Sequence, residues 1–498
     1  MAQSVEILFG PPGTGKTTEL LNRLGDLVEQ KRISPERIAY LSFSRAAVGE
    51  AMSRVSYPRD ALPWFRTIHS LGFKLCELSR LDVLQVEHLK EFGTIISEPF
   101  KEVDAHTGAW DTPPSSPGRG YPADLALEIW AQARARGTGL EDEWRRAQYR
   151  DLTFGFVDKL IDAYEAFKYA NGLWDYPDMV RRAEGELPVD WVFLDEAQDT
   201  SAAQWSLVRR VTPKGARVVI AGDDDQAIYG WSGSDPRPLL TLKADRTVLP
   251  HSYRLPSRIK HLADAVVRPI HGRHPKIFTS NGETGDVKTV TDIDAVDLRS
   301  GEWLLLARTN YQLAQWRRLA KQQGVVYTLE HGDWSWKLPA VRAASAYDAL
   351  RRGKGVERGE VKYLYQALPP ELRATADVKS LPETCVWDHV MGPSADRHAK
   401  AWWEVLTLMD PEDTAYIRGL RRNGESLTLP GRVRILTVHR SKGLEADHVA
   451  VLSDVPKRVW ENADRGDELR VQYVASTRAR KTLTLVRPTT PNHWEWTI

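Results

Sequence analysis

Cysteine is almost absent. The 498 residues carry only two, Cys76 and Cys385. So distant a pair argues against a disulfide framework or a cysteine zinc cluster, and it fits a reducing compartment. Long apolar runs are missing too: none approaches the roughly 18 residues of a membrane span. The chain enters its first strand almost at once, so no signal peptide is expected. There is no excess of charge either. The 68 Lys and Arg face 67 Asp and Glu, a net charge of +1. Charge alone therefore does not announce nucleic-acid binding, and any basic surface has to be a local stripe. What remains, 42% hydrophobic and 27% charged residues, is the composition of a soluble globular protein. The length calls for two to four domains. Tryptophan is plentiful at 18, for which core packing is the plain reason.

The strongest local signal is Gly10-Pro11-Pro12-Gly13-Thr14-Gly15-Lys16-Thr17-Thr18, which follows the phosphate-binding pattern G-x-x-x-x-G-K-[ST]. Its flanks are right. Val5 to Phe9 reads as a buried strand, and Leu20, Leu21, Leu24, Leu27 and Val28 recur at helical spacing. Glycines let the backbone curl so that its N–H groups and the helix start face phosphate oxygens. Lys16 would reach the outer phosphates, and the Thr17 hydroxyl would hold Mg²⁺.

Further on, Ile38 to Phe43 is strand-like and leads into Ser44 and a helical pattern. A polar break after a central strand is where α/β proteins place functional loops. Phe43 by itself reads as core, and His69, in Phe65 to Ser70, as an ordinary structural histidine. Residues 73 to 185 read as mostly helical. Glu87 to Phe100 is one stretch, and Asp124 to Arg150 is a single long amphipathic one. Thr107 to Pro122 between them is rich in Pro, Ser and Gly, a loop composition. A buried strand from Trp191 then ends in Asp195 and Glu196. In a phosphate-loop ATPase, Asp195 would hold Mg²⁺ and Glu196 would deprotonate the attacking water. The strand Arg217 to Ala221 leads into Gly222-Asp223-Asp224-Asp225-Gln226 and then Tyr229 and Trp231. There Gln226 can read phosphate, and the two rings can stack on bases.

Taken in order, these motifs resemble those of superfamily 1 helicases of the UvrD/Rep type. His251-Ser252-Tyr253-Arg254, Leu304 to Asn310, Ile435 to Glu445 and Gln472 to Ala479 resemble the family's later motifs and extend the likeness from residue 10 to about residue 480. The resemblance implies that Gln226 senses the γ-phosphate and that Arg254 and Arg478 reach it from the second motor domain. It implies that Tyr253 stacks on the base and Glu445 holds the ribose. It places single-strand DNA contacts at Phe43, His69, Tyr229, Trp231, Arg308, Thr437 and His439.

The expected fold is α/β, with two RecA-like phosphate-loop domains of parallel sheets flanked by helices, each carrying a mainly helical insertion. The first motor domain is expected at residues 1–72 and 186–247, with its insertion at 73–185. The second is expected at 248–331 and 431–498, with its insertion at 332–430. The implied activity is ATP-dependent, Mg²⁺-requiring translocation on single-stranded DNA, 3′ to 5′, with duplex unwinding in replication, repair or recombination. A 5′ to 3′ helicase of the same superfamily and a translocase that strips bound proteins are the alternatives. The expected substrate is single-stranded DNA and its junctions with duplex, bound by a cytoplasmic monomer of prokaryotic or phage origin, with replication or repair proteins as partners. Three departures from the family stand out. Only nine residues precede Gly10, too few for the upstream glutamine motif that reads adenine, and Gln3 is the one glutamine there. The second insertion is short. The chain stops soon after Arg478, so neither a partner-binding tail nor a nuclease is expected.

Overall fold

The computed structural model describes residues 4–100, 121–147, 149, 152–329, 335–375, 377–396, 398, 400–426, 431–462 and 464–496. Gln3 and most of the Thr107 to Pro122 loop lie outside them. The chain forms two compact units, one of residues 1–286, 458–480 and 496–498, the other of residues 287–457 and 481–495.

The first unit is built on a six-stranded sheet. Its strands are β1 (Val5–Phe9), β2 (Ile38–Ser42), β3 (Phe65–Thr67), β4 (Trp191–Asp195), β5 (Arg217–Gly222) and β6 (Asp245–Val248). They lie in the order β3-β2-β4-β5-β1-β6, and every neighbouring pair is parallel. A parallel sheet is covered on both faces, so its strands read as near-continuous apolar runs. The period-2 alternation of side chains then divides those runs between two cores. Ile7, Phe9, Leu41, Val192, Leu194, Val218 and Ile220 pack on one face. Leu8, Tyr40, Phe193, Val219 and Ala221 pack on the other, against Leu20, Leu24 and Leu27 of the helix Lys16–Glu29.

The register matters most for function. Phe9 pairs with Gly222, Ser42 with Asp195, and Ser42 with Thr67. The carboxyl ends of β1 to β5 therefore fall along one edge of the sheet, where α/β proteins gather ligand-binding loops.

The helices Val86–Ile96, Pro122–Arg136, Leu140–Ala147, Phe154–Ala170 and Tyr176–Arg182 lie between β3 and β4. The single long helix expected over Asp124 to Arg150 is in fact two. Gly137 takes φ 71° and caps the first, its N–H donating to Ala133 O. That left-handed backbone ends a helix at little cost only for glycine.

The second unit holds β7 (Asp286–Val290), β8 (Trp303–Ala307), β9 (Tyr327–Thr328), the small β10 (Val356–Glu357) and β11 (Thr384–Cys385) ladder, β12 (Val433–Thr437), β13 (Ala446–Leu452) and β14 (Ala479–Val486). Its main sheet runs β7-β14-β13-β8-β12-β9, with β8 parallel to both β12 and β13. Between β9 and β12 the described chain is mainly helical, with Pro339–Arg351, Arg358–Ala367 and Pro411–Arg422 the longest helices. Their buried side chains share one apolar core with β8 and β12. No helix among the described residues is long and apolar enough to cross a membrane.

Candidate functional site

The phosphate loop leaves β1 and curls as its sequence requires. Gly13 and Gly15 have φ 72° and 77°. Thr14 ties the turn by donating its N–H and its hydroxyl to Pro11 O, at 3.2 and 2.8 Å. Gly10 has no room for a side chain, since a Cβ there would stand 1.8 Å from Lys16 Cγ. Lys16 Nζ donates to Gly10 O at 3.0 Å and lies 3.9 Å from Glu196 Oε1. Thr18 is occupied differently: its hydroxyl accepts from Arg54 Nη1 at 2.8 Å.

Thr17 and Asp195 meet as a cation site would require. Thr17 Oγ1 donates to Asp195 Oδ2 at 2.8 Å. Burial pushes the Asp195 carboxyl up, and the neighbouring Glu196 charge adds to it, opposed by hydrogen bonds from Tyr40 and Thr17 and by the Lys16 charge. A hydroxyl beside two crowded carboxylates is an oxygen donor set suited to Mg²⁺. Glu196 has φ 53° and ψ 41°, a left-handed backbone that is strained for a non-glycine residue and clusters at functional sites. Gln198 Nε2 holds its carboxylate, donating to Oε2 at 2.5 Å.

Three residues here carry no signal in the sequence. Tyr40 Oη donates to Asp195 Oδ2 at 2.6 Å from the adjacent strand β2. Gln198 links Glu196 to the next loop, since its Oε1 accepts the Asp223 N–H at 2.9 Å. Asp223 Oδ2 in turn accepts from Gln226 Nε2 at 2.7 Å.

Both expected arginines belong to the compact unit that holds the loop. Arg478 is 1% exposed, and its Nη2 donates to Gln226 Oε1 at 3.3 Å. The Ser252–Arg254 segment is pinned to the phosphate loop. Ser252 Oγ donates to Pro12 O at 2.7 Å, and Tyr253 N donates to Gly13 O at 2.9 Å. A Cβ on Gly13 would stand 2.3 Å from Arg254 Cβ. The Tyr253 ring is 75% exposed, open to a stacking partner. Glu445 lies in the second unit, half-buried, with its carbonyl accepting from Arg434 Nη2 at 2.7 Å.

Three of the four expected nucleic-acid residues of the first unit form a line of rings. Phe43 follows β2 and lies 5.5 Å from Tyr229, which lies 6.2 Å from Trp231, centroid to centroid. The buried Trp231 Nε1 has no hydrogen-bond partner among the described residues, the kind of orphan a polar ligand satisfies. Phe43 and His69 both line a groove of about 1070 Å³ that also carries Arg59, Arg66, Lys74 and Arg80. The cations crowd one another. Burial and then the Arg59 charge lower the affinity of Arg66 for its proton, and burial and then Arg66 do the same for Lys74. Such a field attracts phosphates. Burial, with the Arg45 charge behind it, lowers His69 to about 4, so its ring is neutral at pH 7.

The other three lie in the second unit. Arg308 directly follows β8, and Thr437 ends the neighbouring β12 in register with Ala307. His439 comes two residues later, and both it and Thr437 are buried. The three thus share one edge of the second sheet.

Known families match both ends of the chain. The AAA domain family matches residues 1–232, and the UvrD-like helicase C-terminal domain matches residues 417–488. The ATP-dependent DNA helicase Rep of Escherichia coli is 23% identical, over 97% of this chain and 89% of its own. YjcD of Bacillus subtilis is 24% identical, over 97% of this chain and 76% of its own. The ATP-dependent DNA helicase PcrA of Staphylococcus epidermidis is 24% identical over 66% of this chain, which spans about half (49%) of its length. With phosphate loop, acidic strand end, glutamine loop and both arginines in the family's order, the chain is similar along its length to the superfamily 1 DNA helicases of the UvrD/Rep type.

Proposed function

We propose that this chain is an ATP-driven DNA helicase that moves 3′ to 5′ along single-stranded DNA and opens duplex at the junction. The observation that carries the proposal is the assembly of one hydrolytic set at one sheet edge. Lys16, Thr17, Asp195, Glu196 and Gln226 come from the carboxyl ends of three parallel strands, and Arg478 closes on Gln226.

The loop Gly10 to Thr18 cradles the triphosphate of ATP, with Lys16 on the outer phosphates. Thr17 and Asp195 hold Mg²⁺, which, when bound, neutralises charge on the phosphate oxygens. Glu196 takes a proton from the attacking water. Gln226, Arg254 and Arg478 face the charge that spreads over the transferring phosphoryl group. Tyr253 offers its exposed ring to the base, and Glu445 its carboxylate to the ribose.

Phe43, Tyr229 and Trp231 stack on bases, and His69 contributes a neutral ring beside the basic groove. Arg308, Thr437 and His439 form the second grip on the strand. Nucleotide-driven alternation between two grips, each favoured in a different state, moves the motor. The direction comes from the family resemblance alone. The protein acts as a cytoplasmic monomer of prokaryotic or phage origin, together with replication or repair proteins. It is organised as two motor domains, 1–72 with 186–247 and 248–331 with 431–498, and insertions at 73–185 and 332–430.

The test is ATP turnover with Mg²⁺, titrated with single-stranded DNA. Turnover that rises with DNA and falls with salt supports the proposal. Turnover indifferent to DNA at every salt concentration would sink it.

A further inference from the structure

Outside every motif named above, the segment that follows the helix Ser257–Val267 brings a lysine into the acidic loop after β5. Asp223, Asp224 and Asp225 all have fully buried side chains, and the Lys276 side chain is 1% exposed. Its ammonium lies 3.1 Å from Asp223 Oδ1, 2.5 Å from Asp224 Oδ1 and 2.8 Å from Asp225 Oδ2. An ammonium has three protons and no acceptor; it donates to Asp224 Oδ1 and is ion-paired with Asp223 and Asp225 at the same time. Arg273 supplies the second cation by forking onto Asp225. Asp224 Oδ2 accepts the His274 N–H at 2.9 Å. The His274 ring stacks on Phe9 at 3.9 Å, anchoring the segment beside β1.

The oxygen of Asp223 that Lys276 leaves open is the one that holds Gln226. A carboxylate only accepts and a guanidinium only donates. Gln226 therefore satisfies both neighbours in a single orientation, with Nε2 on Asp223 and Oε1 on Arg478. We infer that Lys276 is a positioning residue for hydrolysis: by balancing the charge on Asp223 it fixes the amide of Gln226 and, through it, the guanidinium of Arg478. This inference rests on the reading of Gln226 and Arg478 as groups that act on the outer phosphate.

Arginine keeps the charge but has a planar fork, which cannot reproduce the three-way contact. Lys276→Arg thus separates positioning from plain neutralisation. A second variant, Lys276→Met with Asp224→Asn, removes one charge of each sign and so protects the fold. Steady-state hydrolysis of ATP with Mg²⁺ and single-stranded DNA is measured on the full chain. Both variants are expected to lose about 10- to 100-fold in kcat, because a misplaced group costs that much, with KM for ATP within about twofold of wild type. Wild-type kcat in either folded variant would overturn the inference, as would a raised KM at unchanged kcat. A wild-type chain that hydrolyses no ATP would overturn the hydrolase reading and this inference together. Wild-type turnover matched by both variants overturns this inference alone.

Discussion

Arg478 donates to Gln226 across 252 positions of sequence at 3.3 Å. The two are one unit, because Gln226 offers its oxygen to Arg478 only while Asp223 holds its nitrogen. Gln226→Ala and Arg478→Ala are each expected to lower kcat by about 10³, the lower end for removal of a transition-state arginine. The double variant is expected to lose little more than either single one, since groups that act as a unit are far from additive. Losses that multiply in the double variant would separate the two roles.

Lys16 and Glu196 are proposed to divide the work between holding ATP and activating the attacking water. Lys16→Ala is expected to abolish both ATP binding and turnover. Glu196→Gln keeps the bond from Gln198 possible but cannot accept a proton, so it is expected to abolish turnover and leave ATP binding largely intact. Equilibrium binding of ATP beside single-turnover hydrolysis checks both. Normal turnover by Glu196→Gln would remove it from the role of base.

Trp231 ends the line of rings that begins at Phe43. Stacking of a base on an aromatic ring is worth about 1–3 kcal/mol. Trp231→Ala is therefore expected to raise the DNA concentration for half-maximal stimulation of hydrolysis by roughly 5- to 150-fold. An unchanged titration would refute the stacking role.

His69 is expected to make the fold sensitive to acid. Its imidazole is lowered from 6.5 to about 4, by burial first and the Arg45 charge second. A group lowered in the folded state contributes fully above its unfolded value of about 6.5, and that contribution is lost as pH falls from there toward 4. At pH 5 the loss is up to about 2 kcal/mol. Between pH 7 and pH 5, His69→Gln is expected to lose less stability toward urea than the wild type. Equal losses would contradict the neutral ring.

The phosphate loop and the Asp195–Glu196 strand end were legible in the sequence because their chemistry is local. A glycine turn between a strand and a helix, or a buried strand that stops at two carboxylates, is a complete statement within about ten residues. Tyr40 and Lys276 were not legible. Tyr40 meets Asp195 only because β2 pairs with β4, and Lys276 meets Asp223 only because its segment packs beside β1. Gly137 shows the reverse case. Its signal was in the chain, but the Arg-rich helical pattern continues past it, and only the positive φ shows that the helix ends there. The groove cations Arg59, Arg66, Lys74 and Arg80 are scattered over 22 positions among ordinary surface residues and gain meaning only when gathered beside Phe43 and His69.

This chain is proposed to separate DNA strands at the expense of ATP, moving 3′ to 5′. The most direct measurement gives the protein, with ATP and Mg²⁺, two duplexes that differ only in carrying a 3′ or a 5′ single-stranded tail. The 3′-tailed duplex is expected to open and the 5′-tailed one to stay closed, and neither is expected to open with Glu196→Gln. Opening of the 5′-tailed duplex alone would contradict the direction. A failure to open either, with hydrolysis still stimulated by single strands, would contradict strand separation and leave a translocase.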